Sequence, residues 1–293
     1  MKRSLLSLFV IMLSLYARSQ DDMMSILNQN ATPEKEFATA TFKSTRIMNG
    51  HSVQNMAPGQ LDLRISHRFG RLNTGAYEFF GLDEANMRIG FEYGITNWLM
   101  AGIGRGNYWK TYDGFVKLSA LRQSAAKGGS PVSVSLFASA SDRTIKLTDP
   151  SEIDNFSARM AYTGQLLIAR KFSPSVSLQL MPTMISRNIV AASPDNLFAL
   201  GAGGRVKLSK RVSLNAEYYH RFSSGQITFQ NAETYDPLSV GVDIETGGHV
   251  FQLILTNSVS MIEKGFIGET TGDWLNGDIR FGFSISRVFN LKK

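Results

Sequence analysis

The feature that most constrains this fold is a period of two in hydrophobicity, repeated in segments of about ten residues. In Leu61-Asp62-Leu63-Arg64-Ile65-Ser66-His67-Arg68-Phe69 the odd positions are mostly apolar and the even ones polar. Successive side chains of a strand point to opposite faces, so this segment has one oily face and one carrying Asp62, Arg64 and Arg68. The same alternation sets Met87, Ile89, Phe91 and Tyr93 against Arg88, Gly90 and Glu92, and Val212, Leu214, Ala216 and Tyr218 against Ser213, Asn215 and Glu217. It also sets Val132, Val134, Leu136, Ala138 and Ala140 against Ser133, Ser135, Ser139 and Ser141, and Ile279, Phe281, Phe283 and Ile285 against Arg280, Gly282, Ser284 and Ser286. Twelve segments read this way: 60–69, 86–94, 98–106, 111–121, 131–141, 157–170, 175–185, 197–208, 212–221, 238–245, 249–257 and 278–289. Their length suits a tilted strand crossing a bilayer core.

The separators alternate. Ile95-Thr96-Asn97, Ser173-Pro174, Ser209-Lys210-Arg211 and Thr246-Gly247-Gly248 are short, and 122–130 is somewhat longer. Apart from the brief 107–110, the others (70–85, 142–156, 186–196, 222–237 and 258–277) are long. Bacterial membrane barrels have an even strand number, short periplasmic turns and long outer loops. Counting from residue 60 puts every long loop on one side and both chain ends on the other. Tyr93 and Trp98 flank one edge, and Tyr108, Trp109 and Tyr112 the opposite one, as interfacial aromatics do. The expected fold is therefore all-β, a transmembrane antiparallel up-and-down β-barrel of about twelve strands.

A periplasmic β-sandwich would show the same alternation, one face packing on its core. The loop alternation and the aromatic final strand, with Phe281, Phe283, Ile285 and Phe289, favour the barrel. Pro182 falls inside the seventh segment, where a lost backbone donor argues for a strand end or a bulge.

The N-terminus reads as a secretory signal peptide. Met1-Lys2-Arg3 is basic, Leu5 to Tyr16 is nearly all apolar, and Ala17 and Ser19 are the small residues before a cut at Gln20. The chain contains no cysteine, which excludes lipid attachment at a mature N-terminal Cys, disulfides and thiolate metal sites. The 293 residues carry 31 basic and 24 acidic side chains; without Lys2, Arg3 and Arg18 the net charge is 28 − 24 = +4. That excess is too mild for a nucleic-acid footprint, and no nucleic-acid partner is expected. The expected division is 1–19 signal peptide, 20–59 N-terminal periplasmic or lumen-plug segment, and 60–293 barrel. Residues 20–36 look disordered or weakly helical; Phe37 to Ile47 looks extended, yet as a barrel strand it would make the number odd.

Six stretches stand out: Thr45-Arg46-Ile47-Met48-Asn49-Gly50-His51-Ser52, Ile65-Ser66-His67-Arg68-Phe69-Gly70, Tyr93-Gly94-Ile95-Thr96, Gly201-Ala202-Gly203-Gly204-Arg205, Thr246-Gly247-Gly248-His249-Val250-Phe251 and Gly277-Asp278-Ile279-Arg280-Phe281-Gly282-Phe283. In these the chain resembles an uncharacterised family of Bacteroidota outer-membrane β-barrel proteins. The resemblance implies a membrane barrel in the outer membrane and assigns no activity.

No motif points to catalysis, and the chain is expected to be neither an enzyme nor a cofactor binder. His51, His67, His220 and His249 lack metal-ligand spacing; only a meeting of His51 with His249 at the periplasmic mouth would make a site. His67 and His220 face outward near the outer rim, but their neighbours Ser66 and Ser213 face inward, so no nucleophile–base pair forms. Gly201-Ala202-Gly203-Gly204-Arg205 lies within a strand, where small residues relieve crowding instead of cradling phosphate. The expected lumen-lining residues are Asp62, Arg64, Arg68, Arg88, Glu92, Asp113, Arg159, Arg205, Lys207, Glu217, Asp243 and Arg280, with Glu245 near them. Two readings stay open: a narrow pore for small polar or anionic solutes, or a closed structural or docking barrel without transport. The expected partners are outer-membrane lipid, the assembly machinery during biogenesis, and a periplasmic partner at 20–59.

Overall fold

The computed structural model describes residues 36–146, 156–187, 196–222, 227–230 and 232–291. The expected signal peptide and nearly all of 20–36 lie outside the described residues. Twelve strands form where the alternation runs: β1 Gln60–Arg71, β2 Ala85–Gly94, β3 Leu99–Gly106, β4 Thr111–Leu121, β5 Ser133–Arg143 and β6 Met160–Lys171. They continue as β7 Val176–Arg187, β8 Asn196–Lys207, β9 Val212–Phe222, β10 Leu238–Thr246, β11 His249–Thr256 and β12 Arg280–Asn290. Each pairs antiparallel with its sequence neighbours, and β1 pairs with β12 to close the barrel. Closure leaves no sheet edge unpaired, which a sheet in hydrocarbon requires.

At the seam, Gln60 lies opposite Asn290 and Arg68 opposite Gly282; a register shift beyond Arg68 then sets Arg71 against Arg280. The short connections gather at one end with Gln60 and Asn290, here called the turn end; the long ones gather at the loop end. Phe91, Ile103, Val116, Leu136, Leu180, Phe198, Leu214 and Leu253 stand exposed on the outer wall. The opposite parity points inward and is buried, so the core of this protein lies inside the barrel.

Two local expectations are corrected. Residues Phe156–Arg159 form a short helix, so β6 begins at Met160 and not at 157. Pro182 neither ends β7 nor makes a bulge. Pairing with β8 runs through Pro182 opposite Leu200, while pairing with β6 lapses between Leu180 and Thr183 and resumes in the same register. The missing donor is confined to one side of the strand, and the ring is exposed on the outer wall.

Candidate functional site

The lumen is occupied. Residues 41–56 rise into it from the turn end, and their centre is a tight hairpin. Arg46 bridges His51, Ile47 N–H donates to the Gly50 carbonyl at 2.9 Å, and Ser52 N–H to the Thr45 carbonyl at 2.9 Å. The hairpin tip aims three backbone N–H groups at one carboxylate. Glu217 on β9 accepts from Asn49 N at 2.6 Å, and from Gly50 N and Met48 N at 3.1 and 3.3 Å. A run of backbone donors converging on an anion is a strong and directional contact.

Other wall side chains grip the rest of the segment. Gln179 donates to the His51 carbonyl at 2.7 Å and accepts from Val53 N at 2.9 Å. Gln252 donates to the Ile47 carbonyl at 3.0 Å. The Lys117 ammonium donates to the carbonyls of Ser52, at 2.9 Å, and Gln54. Thr45 donates to Glu92 at 2.6 Å, and Arg46 pairs with Glu92 at 3.1 Å. Nearer the turn end, Arg205 donates to the Ala40 carbonyl at 2.8 Å and Lys43 pairs with Glu245.

A second insertion comes from the loop end. The connection between β11 and β12 carries a one-and-a-half-turn helix, Glu263–Gly268, whose Phe266 and Ile267 are fully buried. Glu263 meets the hairpin, lying 3.4 Å from Arg46 and 3.8 Å from His51 Nε2. The two insertions thus touch across the middle of the barrel through one carboxylate.

The lumen has two unlike sides. Toward β12, β1 and β2 it is polar, with Asp62, Arg64, Ser66, Arg68, Arg88, Glu92, Ser284 and Ser286 buried. Toward β4–β9 it is mixed, with an apolar cluster set among Lys117, Gln165, Gln179 and Glu217. Phe115, Phe137, Leu167, Met181, Ile185, Leu197 and Tyr219 form one cluster with Phe42, Ile47, Val53, Phe266 and Ile267. Glycine makes the fit possible at two strand positions. A Cβ at Gly201 would strike the Tyr219 ring, and one at Gly203 the Ile47 side chain.

Of the residues expected to line the lumen, Asp62, Arg64, Arg68, Arg88, Glu92, Arg205, Glu217, Asp243 and Arg280 are buried. Asp113 pairs with Arg88, and Lys207 is half-buried toward the turn end. Arg159 is placed differently: it sits in the short helix at the loop end, 3.2 Å from Asp142. The alternation does not govern it, because the strand starts one residue later. His51 is far from any mouth, packed between Phe115 and Phe137 with ring centroids 4.4 and 4.3 Å away. His249 instead stacks near Phe251 on β11. No cluster of three or more metal-ligating side chains exists among the described residues. His67 stacks on Phe283, and His220 Nδ1 lies 2.9 Å from Asp236, a partner that the strand pattern could not supply.

A family described as "Membrane bound beta barrel domain (DUF5777)" matches residues 42–289. The chain belongs to this family. The match begins within the segment that fills the lumen, so in DUF5777 terms the hairpin and the wall form one unit. No curated protein matches the chain. Among solved structures, this DUF5777 member overlaps the NanC porin with a TM-score of 0.48 at 9% identity, covering 78% of this chain and 98% of that one. It overlaps the KdgM porin with a TM-score of 0.45 at 11% identity, covering 78% and 99%. For the Acinetobacter baumannii outer membrane protein Omp33 the values are 0.42 and 9%, with 78% and 98% covered.

Proposed function

We propose that this protein is an outer-membrane barrel that passes small polar or anionic solutes through a lumen closed at rest by its own residues 41–56 and the inserted loop between β11 and β12. In this reading the turn end faces the periplasm and the loop end the outside. The observation that carries the proposal is how the hairpin is held. Glu217, Gln179, Gln252 and Lys117 bind its backbone, and water or a polar solute would satisfy each of those wall groups once the hairpin left. The emptied wall would present Arg64, Arg68, Arg88, Lys117, Arg187, Arg205 and Arg280 against Asp62, Glu92, Asp113, Glu217 and Asp243, a basic balance that favours anions.

A second reading, a closed structural or docking barrel, is favoured by the apolar cluster between the wall, Phe266 and Ile267, which water would not replace. In that case the stretch before residue 41 is the arm left for a periplasmic partner.

Planar-bilayer recordings separate the two. The full chain should be silent or rarely open, and a variant lacking residues 36–58 should give steps with a reversal potential favouring anions. Silence from both, in protein shown to be inserted by its heat-dependent gel mobility, would sink the transport reading.

A further inference from the structure

On the polar side of the lumen, Arg46 of the hairpin and Arg64, Arg68 and Arg88 of the wall line one small void with Ser66 and Ser284, which Met48, Asn49 and Met261 complete. The four arginines are 1–4% exposed. The void measures about 10 Å³, room for one particle the size of a water molecule.

Carboxylates do balance these cations, but from outside the void. Glu92 takes Arg46 at 3.1 Å, Asp62 takes Arg64 at 3.3 Å, and Asp113 takes Arg88 through two nitrogens. None of these carboxylates lines the void among the described residues. Among the described residues Arg68 has no such ion pair; its outer nitrogens donate to Asn49 Oδ1 at 2.6 Å and the His67 carbonyl at 2.8 Å. Among the described residues, the Nε atoms of Arg46, Arg64 and Arg68 are buried without a hydrogen-bond acceptor, the nearest Glu92 oxygen being 3.8 Å from that of Arg64. Ser284 and Ser66 share one hydrogen bond at 2.9 Å, which leaves one hydroxyl proton of the pair to donate elsewhere.

A buried site surrounded by donors is costly until an acceptor fills it. We propose that the void binds one monatomic anion, a halide of the chloride class, held by the guanidinium groups of Arg46, Arg64, Arg68 and Arg88 and by the Ser66–Ser284 hydroxyl pair. Water also fits the space, with Asn49 and the two serine oxygens as acceptors, but its oxygen accepts only about two hydrogen bonds, fewer than the guanidinium groups around it can give. A halide is somewhat larger than water and needs the flexible arginine side chains to part slightly, whereas phosphate or sulfate, with four oxygens, far exceeds the room. The anion would tie the hairpin to β1 and β2 through Arg46. The site belongs to the closed state and does not depend on whether the barrel conducts.

The test uses the full chain crystallised with bromide in place of chloride. An anomalous peak among the four guanidinium groups is expected; a featureless map there, or density fitting water alone, overturns the site. In detergent, replacing gluconate by chloride at constant ionic strength should raise the temperature of the heat-dependent gel shift by ~2–4 °C. In Arg68→Met that rise should vanish. An equal rise in Arg68→Met would also overturn the proposal. Should the variant fail to fold, the bromide map of the unaltered chain still decides.

Discussion

At the residue scale, the closed lumen depends on where side chains are missing as much as on where they are present. Gly203 faces inward on β8, and a methyl group there would meet Ile47 of the hairpin. Gly164 on β6 faces outward with nothing within 4 Å of an added Cβ. Gly203→Ala is therefore expected to lower stability by about 1–3 kcal/mol through overpacking, while Gly164→Ala should be neutral or slightly stabilising. Denaturant titration of the folded gel band compares the two directly, and equal effects would show that Ile47 yields without cost. Both residues lie in strands, and strand parity already tells that one faces in and the other out. What parity lacks is the occupant: a glycine against an empty lumen and one against Ile47 look the same in sequence.

At the element scale, the connection between β9 and β10 is anchored at Asp236. Its carboxylate accepts from Arg221 Nε at 2.9 Å and Tyr218 Oη at 2.7 Å, with His220 Nδ1 at 2.9 Å. Burial alone would raise this carboxyl, but the hydrogen bonds from Arg221, Tyr218 and His220 outweigh it and hold Asp236 below its ordinary 3.8. A depressed folded value means the anchoring is fully present above 3.8 and is lost as pH falls through the lower, folded value. Hydrogen-exchange protection at residues 232–237, taken relative to the intrinsic rate at each pH, should thus hold above 3.8 and fall below it, and Arg221→Met should shift that loss to higher pH. Unchanged protection through this fall in pH would mean that other contacts hold the loop. Strand β7 teaches a related lesson: Pro182 survives because only its β6 side needs the donor, and the register on either side holds the strand in place.

At the scale of the whole molecule, segments entering from opposite ends are joined by Arg46 and Glu263. Breaking that pair should loosen the hairpin even though Glu263 enters from the far side. Glu263→Ala is expected to raise hydrogen exchange at residues 44–52. A double-mutant cycle with Arg46→Ala should give a coupling of about 1–3 kcal/mol, moderated because Arg46 keeps Glu92. Exchange at 44–52 unchanged in Glu263→Ala would show that the insertions are held independently. By itself, the sequence determined the twelve strands, their parity and the alternation of turns and loops. Each of these is a local consequence of a period-two pattern and of chain length between patterns. The same reading expected a polar lumen, which holds around β12, β1 and β2. It passed over Phe137 among the serines of β5, and Met181 and Ile185 on β7, all of which point inward. Asn49-Gly50 lies at the hairpin tip, but neither residue has positive φ, so the tip is not the Asn-Gly turn such a pair would suggest, and the pair carries no address. Only the tertiary structure decided that this turn sits on Glu217, that Glu263 meets Arg46, and that four arginines share one void. Those contacts join residues as far as 217 positions apart, and no local periodicity encodes such a distance.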